Sequence, residues 1–371
     1  RLMPDCEKVR VRVYATQSTH KTLTALRQGS MIHVYDQDFR QKVEEPFMEA
    51  YMTHTSTSPN YQILASLDVG RRQVELEGFE LVQKQIELAM ALREELISND
   101  LLQRHFRFLV AKDMVPAEYR PSGIERYFDP ERGWMDLDEA WANDDFVVDP
   151  TRLTLYLGKT GIDGDTFKNK YLMDKFGIQI NKTSRNTVLF MTNIGTTRSS
   201  VAYLIGVLRK IANEFQWKLE EMSPAERRIH EKKVQSYTVD LPPLPDFSRF
   251  HAAFASGKDS GTPEGDLRAA FFLAYDDAVC EYLRIDDGSI DKEMARGREV
   301  VSSSFVIPYP PGFPILVPGQ VISNEILTFM RALDVKEIHG YRPELGLRVF
   351  TEETISGLIG EPRVKKVAAV S

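Results

Sequence analysis

The apolar positions of this chain change rhythm several times, and each change predicts an element. "VRVRVYA" (9–15) sets Val9, Val11 and Val13 against arginines, the period-two alternation of a strand with one buried face. After a break at Gly29, "MIHVY" (31–35) predicts a second short strand. "HTSTSPNY" (54–61) is polar and carries Pro59, which marks a turn. From Tyr61 the period lengthens. Phe79, Val82, Ile86 and Met90 recur at three- and four-residue spacing, so 61–97 reads as a helix with one apolar face.

Farther along, "LTLYL" (153–157) and "TVLFMT" (187–192) predict strands, and "DTFKNKYLMDKFG" predicts a short helix stopped by Gly177. Leu204, Leu208, Ile211 and Phe215 mark one face of a helix over 200–219. Ser223 and Glu226 have capping-box spacing around Pro224, so another helix starts there. Residues 98–150 are mixed, acidic and loop-rich. The stretch 239–265, rich in Pro, Gly and Ser, is the clearest linker. "DLRAAFFLAYDDAVCEYL" (266–283) reads as helical, and 305–323 is apolar but broken by five prolines. Strands and helices interleave, which makes the fold class α/β.

A length of 371 residues leaves room for two or three domains. A net charge of −7 gives no long-range pull toward nucleic acid or an anionic membrane, and neither is expected as a partner. The best candidate for a membrane span, "VAYLIGVL" (201–208), ends at Arg209, well short of the length needed. The first residues lack the apolar core of a signal peptide. Two cysteines, Cys6 and Cys280, are too few for a disulfide framework, so a reducing, cytoplasmic setting is expected. The seven histidines are scattered without ligand spacing, and no metal is expected.

The chemistry concentrates in "ATQSTHK" (15–21), where a strand runs into Ser18, Thr19, His20 and Lys21. A lysine becomes a covalent catalyst by forming a Schiff base with a carbonyl, and pyridoxal phosphate is the commonest protein-held carbonyl of that kind. Its phosphate wants hydroxyl and N–H donors beside the lysine. Taken alone, four such residues also describe an exposed lysine in a polar turn.

The wider stretch "TQSTHKTLTALRQGS" resembles the pyridoxal-phosphate attachment signature of the bacterial ornithine/lysine/arginine decarboxylases. Thr16, Ser18, His20, Lys21, Thr24, Ala25, Gln28, Gly29 and Ser30 fit it, while Arg27 stands where a small residue is usual. "SMIHV" (30–34), "HTSTSPNYQILASLD" (54–68) and "PYPPGFPILVPGQ" (308–320) continue the resemblance in register. The resemblance implies the end of a fold-type-I (aspartate-aminotransferase) large domain over 1–70. A small α/β domain over 71–238 and an appended α+β carboxyl-terminal domain over 239–371 would follow. It implies that Lys21 holds pyridoxal 5'-phosphate as a Schiff base and that Ser18 and His20 lie at the phosphate. Ser56 and Thr57 would reach the cofactor of the neighbouring subunit, so a homodimer with a shared active site is the expected unit. Lys21 or His20 would return a proton to the substrate's Cα. The implied reaction takes arginine, lysine or ornithine to the corresponding amine and carbon dioxide.

Two departures bear on the substrate. Asn181 in "INKTS" and Gln320 in "PGQ" stand where the family commonly has glutamates, so either a strictly basic substrate is in question or both amides serve the fold. The resemblance also implies a missing amino-terminal half, since the family's pyridine-pairing aspartate and phosphate loop lie upstream of the lysine. Asp5 is too near the signature to take that aspartate's place. Two rival readings stay open: another pyridoxal-phosphate reaction such as transamination, or a non-catalytic partner chain.

Overall fold

The computed structural model describes residues 8–129, 131, 133, 135–180, 182–239, 243–255, 266–309, 312–332 and 337–360. It divides into two compact units. One comprises the described residues up to 180 with 186–235; the other comprises 182–185 with those from 236 onward.

The first unit opens with a hairpin. Strand β1 (Arg12–Gln17) pairs antiparallel with β2 (Met31–Asp36), in the register Arg12↔Asp36 through Gln17↔Met31. The alternation in "VRVRVYA" does make a strand, displaced toward its carboxyl end. The expected buried face is absent, however, because Val13 and Ile32 stay about half exposed and Tyr35 more so. Polar ties pin the open end. Asp38 accepts from Arg10 and Arg12 at 2.5 Å each, and Tyr14 donates to Asp36 at 2.5 Å. The guanidinium of Arg12 holds the Asp38 carboxyl below the usual carboxylate range.

Helix α1 (Glu44–His54) leads through the polar turn into α2 (Tyr61–Ser98). Asn60 caps α2, its side chain accepting from Gln62 N at 2.9 Å and Ile63 N at 3.3 Å. At 1.5 Å per residue the helix is about 57 Å long. Its apolar stripe splits into two fates: Phe79 is 83% exposed and Val82 40%, whereas Met90 is 3%. The single buried face expected from Phe79 onward therefore begins only past Val82.

Beyond Leu88 the unit becomes a layered core. Strands β3 (Arg107–Phe108), β4 (Arg152–Tyr156) and β5 (Thr187–Met191) lie side by side, antiparallel, with Leu155 opposite Val188. The alternating burial of β4 and β5 puts Leu153, Leu155, Val188 and Phe190 on one face. That face packs with the second half of α2 and with α3 (Arg198–Glu221), whose Leu208, Ile211 and Phe215 are buried as their spacing predicts. Gly177 stops the preceding helical stretch in the left-handed region, at φ 63°. The capping box forms at α4 (Pro224–Thr238), where Ser223 N donates to Glu226 at 2.9 Å and Glu226 N to Ser223 Oγ at 3.4 Å.

In the second unit β6 (Cys280–Leu283) pairs antiparallel with β7 (Gly346–Phe350). Its core gathers Val300, Val306, Leu316 and Ile322 with Ile326, Leu327 and Met330 of helix α5 (Asn324–Ala332). Part of the expected linker belongs to this unit. Phe247 and Phe250 pack onto its apolar clusters, and Phe254 is 3% exposed. Pro and Ser flank these three rings in sequence, and the rings still bury. The helix expected over 266–283 ends at Leu273, and the chain turns there into β6. Among the described residues, no helix is long and apolar enough to cross a membrane.

Candidate active site

β1 delivers the chain into one helical turn, Thr19–Thr22, so Ser18, Thr19, His20 and Lys21 stand together. Lys21 is exposed, and its amine has no hydrogen-bond or ion-pair partner among the described residues. The Ser18 hydroxyl is exposed beside it. Thr19 is fully buried, and its Oγ1 finds no partner among the described residues. Buried hydroxyls are nearly always satisfied, so this one marks a turn with unmet hydrogen-bonding capacity.

His20 is held from behind. Its backbone N–H and its ring Nδ1 both reach the Gly29 carbonyl, at 3.3 and 2.9 Å. A carbonyl only accepts, so Nδ1 carries the proton and Nε2 is the ring nitrogen left to act. The acceptor is presented by a reverse turn closed by Gly29 N donating to Leu26 O at 3.0 Å. Gln28 in that turn adopts φ +74°, a conformation that favours glycine or asparagine.

The same loop is docked on α2. Leu26 N donates to Ser66 Oγ at 2.9 Å, and Thr24 Oγ1 to Gln73 Oε1 at 2.7 Å. A Cβ on Gly70 would stand 2.0 Å from the Thr24 carbonyl oxygen, so only glycine admits this approach. Gln28 and Gly29 fit the signature without the signature showing that their turn presents a carbonyl to His20, and Gly70 lies outside it. The signal for Gly70 was there: an isolated glycine inside an otherwise helical run.

Ser56 and Thr57 lie in the exposed turn before α2. Ser56 Oγ accepts from Ser58 N at 3.1 Å, and no hydrogen bond among the described residues joins this turn to residues 18–21. Within one chain the two groups of expected site residues thus stay separate.

Tested against pyridoxal phosphate, the lysine turn fits one end of the molecule. An amine without a carboxylate and two unpartnered hydroxyls suit a carbonyl and its phosphate. Among the described residues, the acids nearest the turn in sequence are not free for the pyridine end. Asp36 and Asp38 are taken up by Tyr14, Arg10 and Arg12, and Asp5 lies outside the described residues. Among the described residues no group of three or more His, Cys, Asp or Glu side chains is arranged to hold a metal.

Of the two departures bearing on substrate, Asn181 lies outside the described residues. Gln320 is 7% exposed and spends its side chain on the second unit's backbone. Its Oε1 accepts from Val317 N at 2.7 Å, and its Nε2 donates to Phe247 O. Here the amide serves the fold.

Residues 2–200 match the family described as Orn/Lys/Arg decarboxylase, major domain. The chain is similar to the lysine decarboxylase of Hafnia alvei, 28% identical over 86% of this chain and 43% of that protein. It is also similar to the constitutive ornithine decarboxylase of Escherichia coli K12, 27% identical over 93% of this chain and 51% of that one. The crystal structure of the lysine decarboxylase LdcF of Francisella novicida superposes with a TM-score of 0.59. That match covers 92% of this chain and 49% of LdcF, at 24% identity. The chain thus spans about half the length of the curated relatives it matches, and it shares the fold of that half. With more than half of its residues inside the family's major domain, this chain belongs to the Orn/Lys/Arg decarboxylase family.

Proposed function

We propose that this chain is the lysine-bearing part of a pyridoxal-phosphate-dependent decarboxylase acting on lysine, ornithine or arginine in the cytoplasm. The observation that carries the reading is the turn at 18–21: an exposed amine with no counter-ion among the described residues, flanked by hydroxyls and by a histidine fixed through Nδ1. Pyridoxal phosphate supplies an aldehyde that an amine can hold and a ring that takes up the electron pair left when a carboxylate departs as carbon dioxide. Lys21 Nζ is the amine that would hold it. Ser18 Oγ would donate to the phosphate, with His20 beside it and Ser56 and Thr57 of a second subunit reaching the same group. Lys21 Nζ or His20 Nε2 would carry the proton returned to the substrate's Cα. Because Gln320 is consumed by packing, its presence in place of a glutamate does not argue against a cationic substrate.

The reading includes the domain division at 70/71 and 238/239 and a homodimer as the working unit. It also assigns the exposed apolar faces of the β1–β2 hairpin an occupant: the part of the family fold outside the matched half, which would bring the acid for the pyridine nitrogen. Two strands alone do not make a stable sheet, so such a face needs cover.

The test is borohydride reduction of the full chain with added pyridoxal phosphate, followed by peptide mass mapping. Pyridoxyl on Lys21, lost in Lys21→Ala with the circular-dichroism spectrum unchanged, is the expected result. Label absent or spread over surface lysines would sink the reading for this chain on its own.

A further inference from the structure

A cavity with an excess of cations in its lining lies away from Lys21, in the layered half of the first unit. It has a volume of about 320 Å3, within the range of small-molecule sites. Its apolar wall is made by Met90 and Leu96 of α2, Phe106, Phe108 and Tyr127, each buried. The charged part of its lining is Arg93, Arg107, Lys112 and Arg126 against Asp113 and Glu125, two cations in excess.

The acids are already committed. Arg107 pairs with Asp113 at 2.7 Å, and Lys112 with Glu125 at 2.6 Å. Arg93 has no carboxylate at ion-pair distance among the described residues. It donates instead to two carbonyls, Pro150 O at 2.6 Å and Arg152 O at 3.0 Å. Burial pushes its pKa down to about 10, opposed by Asp149, so at neutral pH it stays charged. A half-buried guanidinium that hydrogen-bonds to carbonyls, with Asp149 beyond ion-pair distance, keeps charge that a bound anion would neutralise, and its planar fork suits a carboxylate.

We infer that this cavity is a binding site for a small carboxylic acid with an apolar body, the carboxylate on Arg93 and the body against Phe106, Phe108 and Tyr127. The excess of cations turns away molecules that carry ammonium groups, so lysine, ornithine and arginine do not fit. The site is therefore separate from the chemistry assigned to Lys21, and it stands or falls without that assignment.

Isothermal titration of the full chain with octanoate, octanamide and L-lysine tests it. Octanoate should bind at least about tenfold more tightly than its neutral amide, because only the acid engages the Arg93 charge. Arg93→Met should erase that preference. Leu109→Trp, which keeps Arg93 but fills the cavity, should abolish binding of both. L-Lysine should not displace octanoate. Equal binding of acid and amide, no binding of either, undiminished binding in Leu109→Trp, or displacement by lysine would each overturn the assignment. Should Arg93→Met not fold, the acid–amide comparison and Leu109→Trp decide the matter.

Discussion

The two halves of the first unit treat apolar residues in opposite ways. From Arg12 to Val82, Ile32, Tyr35, Met52 and Phe79 are all exposed. From Leu88 to Phe215, Leu155, Val188, Leu208 and Ile211 are fully buried. Helix α2 runs through both halves and changes character without a break in its hydrogen bonding. Sequence pattern is equally good on both sides, so pattern is not the difference. What differs is whether a second layer exists. β4 and β5 have α2 and α3 to cover them, whereas β1 and β2 have no third strand among the described residues, and the Phe47 ring of α1 against Tyr14 still leaves Val13 and Ile32 about half exposed. Amphipathicity marks a face that should be covered; covering it takes another element.

Mutations sharpen this contrast. The largest effect should come from Leu155→Ala, which empties a fully packed site in the sheet face and should cost about 2–5 kcal/mol in urea unfolding. Gly70→Ala comes next. Helix propensity favours alanine by about 1 kcal/mol, but the added methyl meets a backbone oxygen that cannot swing aside. The 22–30 loop should lift from α2 at a cost of about 1–3 kcal/mol. Hydrogen exchange at Leu26 N and His20 N should accelerate while the sheet amides stay protected; unchanged exchange would mean the loop is not held there.

His105 offers a pH lever inside the packed half. It is 2% exposed with Nε2 unpartnered among the described residues, and burial, then Arg104, lowers its pKa from the ordinary histidine value. Gln216 opposes the shift, while His230 and Lys159 add to it. A histidine kept neutral in the fold but free to protonate when unfolded gives stability that is present above about pH 6.5 and lost as pH falls through its lowered folded value. His105→Phe should flatten that acid-side loss in thermal melts between pH 7 and 5, and an unaltered slope would locate the effect elsewhere. The smallest effect belongs to the bare half. Ile32→Ala should change stability by no more than about 0.5 kcal/mol, because an exposed side chain gives up little. A cost near that of Leu155→Ala would break the comparison outright.

Local chemistry was legible residue by residue. The period of Leu204, Leu208, Ile211 and Phe215, the Ser223–Glu226 box and the Gly177 stop all act through neighbours within a few positions. The lysine turn was readable for the same reason, since Ser18, Thr19, His20 and Lys21 are contiguous. The burial of Phe247, Phe250 and Phe254 was not readable, because their partners lie up to a hundred residues away in sequence.

By itself, then, the sequence determined most of the local elements read from it and which residues share the lysine turn, since these depend on short-range backbone sterics and hydrogen bonding; the helix read over 266–283 is the exception, ending at Leu273. Tertiary structure alone decided which apolar faces are covered, that Gln320 is spent on backbone partners, that Gly70 admits the signature loop, and that Arg93 lines a cavity with no carboxylate at ion-pair distance among the described residues. Each of those is a contact between residues far apart in the chain, and periodicity carries no information about what will stand opposite a side chain once the chain has closed on itself.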